Sequence, residues 1–325
     1  MNKKVVILYP EIKDKNKKDQ IDTLEQLNLI KNSLKKLKYE TYTLECSLNL
    51  LEISKSLIQI NPDFCFNLVD CFYNDDRMIT IIPLLLESLN IPYTSPNSEN
   101  MFITTNKVLC KKMFILNKIS TPAFIYNNKT YGNISFPEKF IIKQVSSDGS
   151  INIDEKNIFL FKDLQSANQK IREFTQKYNK DFFAEIYING REFNVSLLCF
   201  KDKLEILPIS EIIFKDYPEE KPKIVCYKAK WLEDSFEYKN TIRNFNFSKQ
   251  DEPLLKQIEE ISSKCYDLFG LRGYARIDIR VENNNIYILE ININPSLSMD
   301  AGFVASAKKK GISFEELIKK IIETI

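Results

Sequence analysis

Along residues 1–95 the apolar positions switch repeatedly between a strand pattern and a helix pattern. Val5, Val6, Ile7, Leu8 and Tyr9 form an unbroken apolar run, as expected of a strand buried on both faces. Ile21, Leu24, Leu27, Ile30, Leu34 and Leu37 then recur at helical spacing. Residues 39–46 read as a second strand, 50–60 as a short helix stopped by Asn61-Pro62, and 64–69 as a third strand. A helix over 78–89 leads into Ile91-Pro92-Tyr93-Thr94. This alternation predicts an α/β layer on a parallel sheet. The polar segment 70–77 follows a strand end, where ligands of open sheets tend to bind, although the favoured reading of Asp70, Asp75 and Asp76 is a solvated loop.

A second unit is expected over residues 97–183 and a third over 184–325, after a first unit spanning 1–96. The helix 106–116 carries Lys107, Lys111 and Lys112. The strand 140–143 ends at Lys143 and runs into Gln-Val-Ser-Ser-Asp-Gly-Ser150. A lysine at a strand end before a Ser/Gly turn can aim ammonium and backbone N–H groups at phosphate, but Ser-Asp-Gly also makes an ordinary turn. Leu164, Ala167, Ile171 and Phe174 mark an amphipathic helix. Asn189-Gly190 between two strand-like runs predicts a hairpin. Residues 204–208 make a further strand, and 248–270 a helix ended by Gly270. The stretch 214–238 is charged, Pro-interrupted and aromatic, with Trp231 beside Lys230, and reads as a lid or as a long surface connection. Ser313 and Glu316 form a capping box for a last helix.

The sharpest period-2 pattern lies at 273–295. Arg276, Asp278 and Arg280 share one strand face, opposite Ile277, Ile279 and Val281. After a turn at Asn283, Asn284 and Asn285, the residues Glu290, Asn292 and Asn294 share a face opposite Leu289, Ile291 and Ile293. A three-residue turn pairs Glu282 with Ile286, and so sets Asp278 opposite Glu290 and Arg276 opposite Asn292. Carboxylates that face each other across strands repel unless a cation lies between them. The oxygen ligands Asp278, Glu290 and Asn292 suit Mg²⁺ accompanied by substrate phosphates.

Composition narrows the chemistry. The 325 residues are 44% hydrophobic and 28% charged, ordinary for a globular protein of two or three domains. The net charge of +2, from 46 basic and 44 acidic residues, gives no electrostatic case for nucleic acid. No apolar run approaches the ~20 residues of a membrane span. The first ten residues loosely mimic a signal peptide, but the apolar part is short, and a buried strand is the expectation. The cysteines number seven, scattered and without a Cys-x-x-Cys pair, which suggests reduced thiols and a cytoplasmic location. Histidine is absent, which excludes His-based triads, His-ligated zinc and a histidine base. Carboxylates, Lys, Arg and a hard metal remain.

The order Lys107, Lys143, Glu185 to Glu192, Lys230, Arg276, Asp278, Glu290, Asn292 resembles the ATP-grasp superfamily, in its D-alanine–D-alanine ligase-like branch. The resemblance covers almost the whole chain and is strongest in Ala184-Glu-Ile-Tyr-Ile-Asn-Gly-Arg-Glu-Phe-Asn-Val195, in 273–280 and in Leu289-Glu-Ile-Asn-Ile-Asn-Pro295. It implies the fold class α/β plus α+β: an N-terminal parallel α/β domain followed by a two-subdomain ATP-grasp fold. It further implies ATP with Mg²⁺ or Mn²⁺, carboxylate and amine substrates that are amino acids, and a homodimer. By the same resemblance Lys107, Lys143 and Ser150 contact ATP phosphates, Glu185 and Ile188 the adenine, and Glu192 the ribose. Lys230 reaches the phosphates from a lid, Asp278, Glu290 and Asn292 hold the metal, and Arg276 stabilises the reacting carbonyl.

The chain also departs from that family. Asn67-Leu-Val-Asp-Cys-Phe-Tyr-Asn-Asp-Asp76 stands where the ligases have a His/Gly-rich signature, and Tyr9-Pro10-Glu11 replaces a Gly-Gly turn and its substrate glutamate. Past Asn292 the ligases' Thr-x-Pro-Gly-Met-Thr and a later serine for the acceptor carboxylate give way to Ile293-Asn-Pro-Ser-Leu-Ser-Met-Asp300-Ala-Gly302-Phe. Asp300 either favours a cationic acceptor amine or caps the adjacent helix. D-Alanine ligation, ligation of another amino acid or amine, and ATP binding without chemistry are thus the readings to separate.

Overall fold

The computed structural model describes residues 3–14, 17–73, 75–147, 154–200 and 203–325. The first unit comprises β1 (Lys4–Pro10), α1 (Lys18–Lys36), β2 (Glu40–Cys46), α2 (Leu50–Ile60), β3 (Phe64–Asn67) and α3 (Ile81–Ser88). Its strands are parallel in the order β2-β1-β3, and Tyr93 bridges Cys65 in parallel beyond them. The apolar run of β1 is explained by burial on both faces. Val5 and Ile7 join one core, Val6 and Leu8 another. Asn49 caps α2 through the Glu52 N–H, and Asn61 ends it in the left-handed conformation at φ 50°.

The second unit holds α4 (Ser98–Thr105), α5 (Lys107–Leu116), β4 (Phe124–Tyr126), β5 (Lys129–Tyr131), β6 (Glu138–Gln144), β7 (Ile158–Phe161), α6 (Leu164–Tyr178) and β8 (Phe182–Ile186). Its antiparallel sheet runs β5-β4-β8-β6-β7. Phe140, Ile142, Phe182 and Ala184 pack under α6 with Ala167 and Ile171. The alternation turns Ile141, Lys143 and Glu185 to the opposite face.

The third unit holds β9 (Arg191–Phe200), β10 (Lys203–Ile206), β11 (Ser210–Phe214), α7 (Tyr227–Trp231), α8 (Phe236–Asn240), β12 (Thr241–Asn244), α9 (Glu252–Leu268), β13 (Tyr274–Glu282), β14 (Asn285–Asn292), α10 (Gly302–Lys309) and α11 (Phe314–Ile322). The sheet order is β12-β11-β9-β13-β14, with β10 beside β9. Phe193, Val195, Ile277 and Ile279 bury one face against Ile258 and Cys265 of α9 and Phe114 of α5. Helices α10 and α11 pack into the first unit, where Phe303, Leu317 and Ile321 share a core with Val5, Ile7 and Ile30.

Two expectations fail here. Asn189-Gly190 is not a hairpin turn, because β8 and β9 belong to different sheets, and the dipeptide carries the chain between them. Glycine is needed because a Cβ at 190 would lie 2.0 Å from the Val281 carbonyl oxygen. A boundary after Phe183 would also cut β8, so the second sheet extends to Ile186. The seven cysteines form no disulfide, and burial pushes the Cys46 and Cys265 thiols up to about 12. No helix among the described residues is long and apolar enough to cross a membrane.

Candidate active site

The polar faces of the second and third sheets confront each other across a cleft whose floor is β13 and β14. Arg276 pairs with Asn292 and Asp278 with Glu290, the register expected. The turn differs: it has two residues, Asn283 and Asn284, at φ 50° and 62°, and Glu282 pairs Asn285. A shift between Asp278 and Ile279 offsets that difference, so the carboxylates still meet.

Arg276 donates from Nε and Nη2 to the two oxygens of Asp278 at 2.7 and 2.8 Å, and Asn194 Nδ2 donates to Oδ1 at 2.7 Å. Asn194 escaped notice in the sequence, although it shares a face with Glu192 two residues earlier. Burial works to lower the Arg276 pKa, but Asp278, Glu290 and Glu192 outweigh it and raise it. Lys107 of α5 is buried, lies 3.1 Å from Glu290 and also donates to the Ser147 carbonyl. Burial alone would raise the Glu290 carboxyl, yet Lys107, Lys143 and Lys230 hold it down at about 2. Asn292 Oδ1 accepts from the Asn294 N–H at 3.1 Å. Ser150 lies outside the described residues.

On the opposite wall Glu185 is buried between Lys143 at 2.5 Å and Lys111 at 2.7 Å. Burial opposes its ionisation, but the two lysines prevail and lower its pKa. Lys111 Nζ also donates to Thr121 Oγ1, whose hydroxyl donates to the Ile288 carbonyl on β14, each at 2.7 Å. Lys111 therefore ties the two walls together. Sequence placed it only on the helix of Lys107, since its partner lies 74 positions away. Arg280, buried on the floor, donates to Glu192 at 2.5 Å and to the Gly190 carbonyl at 3.0 Å.

The segment 214–240 lies over the cleft, in contact with both the second unit and the first. Ile224 and Cys226 pack on Ile141 and Tyr187, Lys221 contacts Glu155 and bonds Glu237 at 3.0 Å, and Glu233 pairs Lys18 of the first unit at 2.9 Å. Lys230 on α7 is half-buried and makes no ion pair among the described residues. Burial and Arg276 lower its pKa, while Asp278, Glu290 and Glu192 pull the other way. Ile141, Lys143, Tyr187, Ile188, Ile224 and Leu289 line a cavity of about 40 Å³ under the lid.

The solvated-loop expectation for segment 70–77 is corrected in part. Asp75 and Asp76 are buried, and Asp75 caps a 3₁₀ turn through the Arg77 N–H while pairing with its guanidinium. Asp300 is exposed and caps nothing, since the residue capping α10 is Ala301, without a side-chain hydrogen bond. Asp22 of α1 was missed altogether. It accepts from Ser296 Oγ at 3.2 Å, and Gln26 Oε1 accepts from the Leu297 N–H at 2.8 Å, so α1 holds the segment after Asn292.

Among the described residues no three His, Cys, Asp or Glu side chains gather into a metal cage. Two carboxylates and an amide oxygen on adjacent strands nevertheless match the sparse protein ligation of Mg²⁺, which takes one or two carboxylates beside substrate phosphates. Cationic groups above such a pair, between two α+β layers and beneath a lid, define an ATP-grasp enzyme. A family profile described as "D-ala D-ala ligase C-terminus" matches residues 128–323. The D-alanine–D-alanine ligase of Pelagibacter ubique is 30% identical over 99% of this chain and 98% of its own length. In structure, the Bacillus anthracis D-alanine–D-alanine ligase complexed with ATP superposes with a TM-score of 0.71 at 21% identity, covering 99% of this chain and 97% of that one. The VanG D-Ala:D-Ser ligase of Enterococcus faecalis gives 0.69 at 16% identity over the whole of both chains. The chain belongs to the D-alanine–D-alanine ligase family, and is an ATP-dependent, ADP-forming carbon–nitrogen ligase.

Proposed function

We propose that the chain joins the carboxylate of one amino acid to the amine of a second, with D-alanine as the first candidate for both. The observation that carries this is the facing of Asp278 and Glu290 beside Arg276, with Lys107, Lys143 and Lys230 converging on the same cleft. Lys107, Lys143, Lys230 and Ser150 take the phosphates, Glu185 and Ile188 the adenine side, and Glu192 the ribose. One or two Mg²⁺ or Mn²⁺ ions would be held by Asp278, Glu290 and Asn292 and supply charge neutralisation at the phosphates.

A carboxylate is a poor acceptor for an amine because oxide is a poor leaving group. Its oxygen attacks the γ-phosphorus, ADP leaves, and the acyl phosphate so formed carries a competent leaving group. The amine nitrogen then attacks the acyl carbon, phosphate leaves, and the nitrogen loses a proton. Arg276 donates to the oxyanion of that step. The lid over the cleft keeps water from the acyl phosphate. A cytoplasmic location and a homodimer complete the reading; the absence of a disulfide among the described cysteines supports the first, and light scattering tests the second. The decisive assay measures ADP release with D- and L-amino acids, singly and in pairs, with mass analysis of products. D-alanyl-D-alanine from D-alanine alone is the expected product; ADP release only with a different pair would move the substrates and keep the reaction.

A further inference from the structure

Resting on the ligase reading, we propose that Arg243 is the specificity-determining residue for a carboxylate on the amine substrate. Arg243 stands on the edge strand β12 and is not among the residues assigned to ATP, the metal or the reacting carbonyl. Its Nη1 donates to the Asp300 carbonyl at 3.1 Å, and its Nε is buried without a hydrogen-bond partner. Its Nη2 lies against Gly302, where an added Cβ would be 3.5 Å away. Gly302 is the first residue of α10, and Ala301 supplies that helix with no side-chain cap. A guanidinium against a helix N-terminus is set against the positive end of the dipole. Arg276 is close enough to push in the same direction: burial first, and then Arg276, lowers the Arg243 pKa, with only the exposed Asp300 acting against them. Arg276 spends its own fork on Asp278, whereas Arg243 forms an ion pair with no described carboxylate.

Two positive features, the Arg243 guanidinium and the uncapped start of α10, thus lie together near Arg276, and Arg243 has no ion pair among the described residues. Arginine is suited to bidentate carboxylate recognition, and uncapped N–H groups at a helix start add donors for the same anion. The arrangement argues against the cationic acceptor that Asp300 suggested from sequence, because such an amine would meet Arg243. The carboxylate can be the α-carboxylate of the acceptor or an acidic side chain.

The test uses D-alanine, D-alaninamide and the α-amide of D-aspartate, with their L forms, as acceptors for the full chain. Wild type is expected to favour a carboxylate-bearing acceptor over alaninamide by on the order of 100-fold in kcat/KM. Preference for alanine assigns the α-carboxylate, and preference for the aspartate α-amide assigns the side chain. In Arg243→Met the preference should collapse to a few-fold through the acceptor KM, with the ATP KM unchanged, and Arg243→Lys should restore part of it. An unchanged ratio in Arg243→Met, or a wild-type preference for amides or diamines, overturns the proposal. Melting temperature should hold or rise in Arg243→Met, since an unpaired charge is removed; a fall of more than about 5 °C would make the residue structural and equally overturn it. If wild type releases no ADP with any pair, the ligase reading fails alone. Calorimetry of the same compounds on the ADP-loaded chain then decides Arg243: tighter binding of acid than of amide, lost in Arg243→Met, supports it, and equal or undetectable binding does not.

Discussion

The two ends of the cleft are built on opposite electrostatic plans. At the end formed by β13, β14 and α5, the charges of the sheets and of α5 are paired within the protein: Lys107 with Glu290, Lys111 and Lys143 with Glu185, Arg276 with Asp278, Arg280 with Glu192. At the end formed by β12, residues 293–301 and α10, Arg243 has no such partner among the described residues, and Asp22 is met by serines and a glutamine. Pre-paired charges keep a site ordered for a ligand that brings both phosphates and cations. Unpaired charges leave the discrimination to the substrate itself.

The paired end breaks hardest when a carboxylate of the hairpin is neutralised. Asp278→Asn and Glu290→Gln are each expected to lower ADP release by ~10³-fold or more, because they remove the proposed metal ligands and leave Arg276 or Lys107 uncompensated. Arg276→Met is expected to cost about 10²-fold in kcat while the ATP KM holds, a split that a purely structural arginine would not produce. Lys111→Met leaves Glu185 buried with one lysine fewer, and should cost about 3 kcal/mol of stability in denaturant titration. A further effect is in acid. The Glu290 carboxyl sits at about 2 when folded against an ordinary 4.5, so its contribution to stability is complete above pH 4.5 and disappears as pH falls towards 2. The Glu290→Gln chain should lose less melting temperature than wild type across that window.

The paired end was also the more legible in sequence. Period-2 alternation placed Arg276, Asp278, Glu290 and Asn292 on one face, and that signal survives errors in turn length. The two-residue turn and the irregularity after Asp278 offset one another, and neither leaves a mark in the apolar pattern of 285–291. Asn189-Gly190 was misread because a dipeptide that favours hairpins also suits a crossing where the backbone of Val281 comes close. Lys111, Asn194, Asp22 and Arg243 were not found because each takes its meaning from a residue far along the chain. Arg243 meets Asp300 only after 57 residues, and no local period reports such a contact.

The hairpin carboxylates are proposed to hold a divalent cation for phosphoryl transfer. Electron paramagnetic resonance of Mn²⁺ added with ADP to the wild-type chain tests it most directly. Tight Mn²⁺ binding in wild type that is lost in both Asp278→Asn and Glu290→Gln, with ADP still bound, is the predicted result. Mn²⁺ binding of equal strength in all three chains would show that Asp278 and Glu290 do not hold the ion.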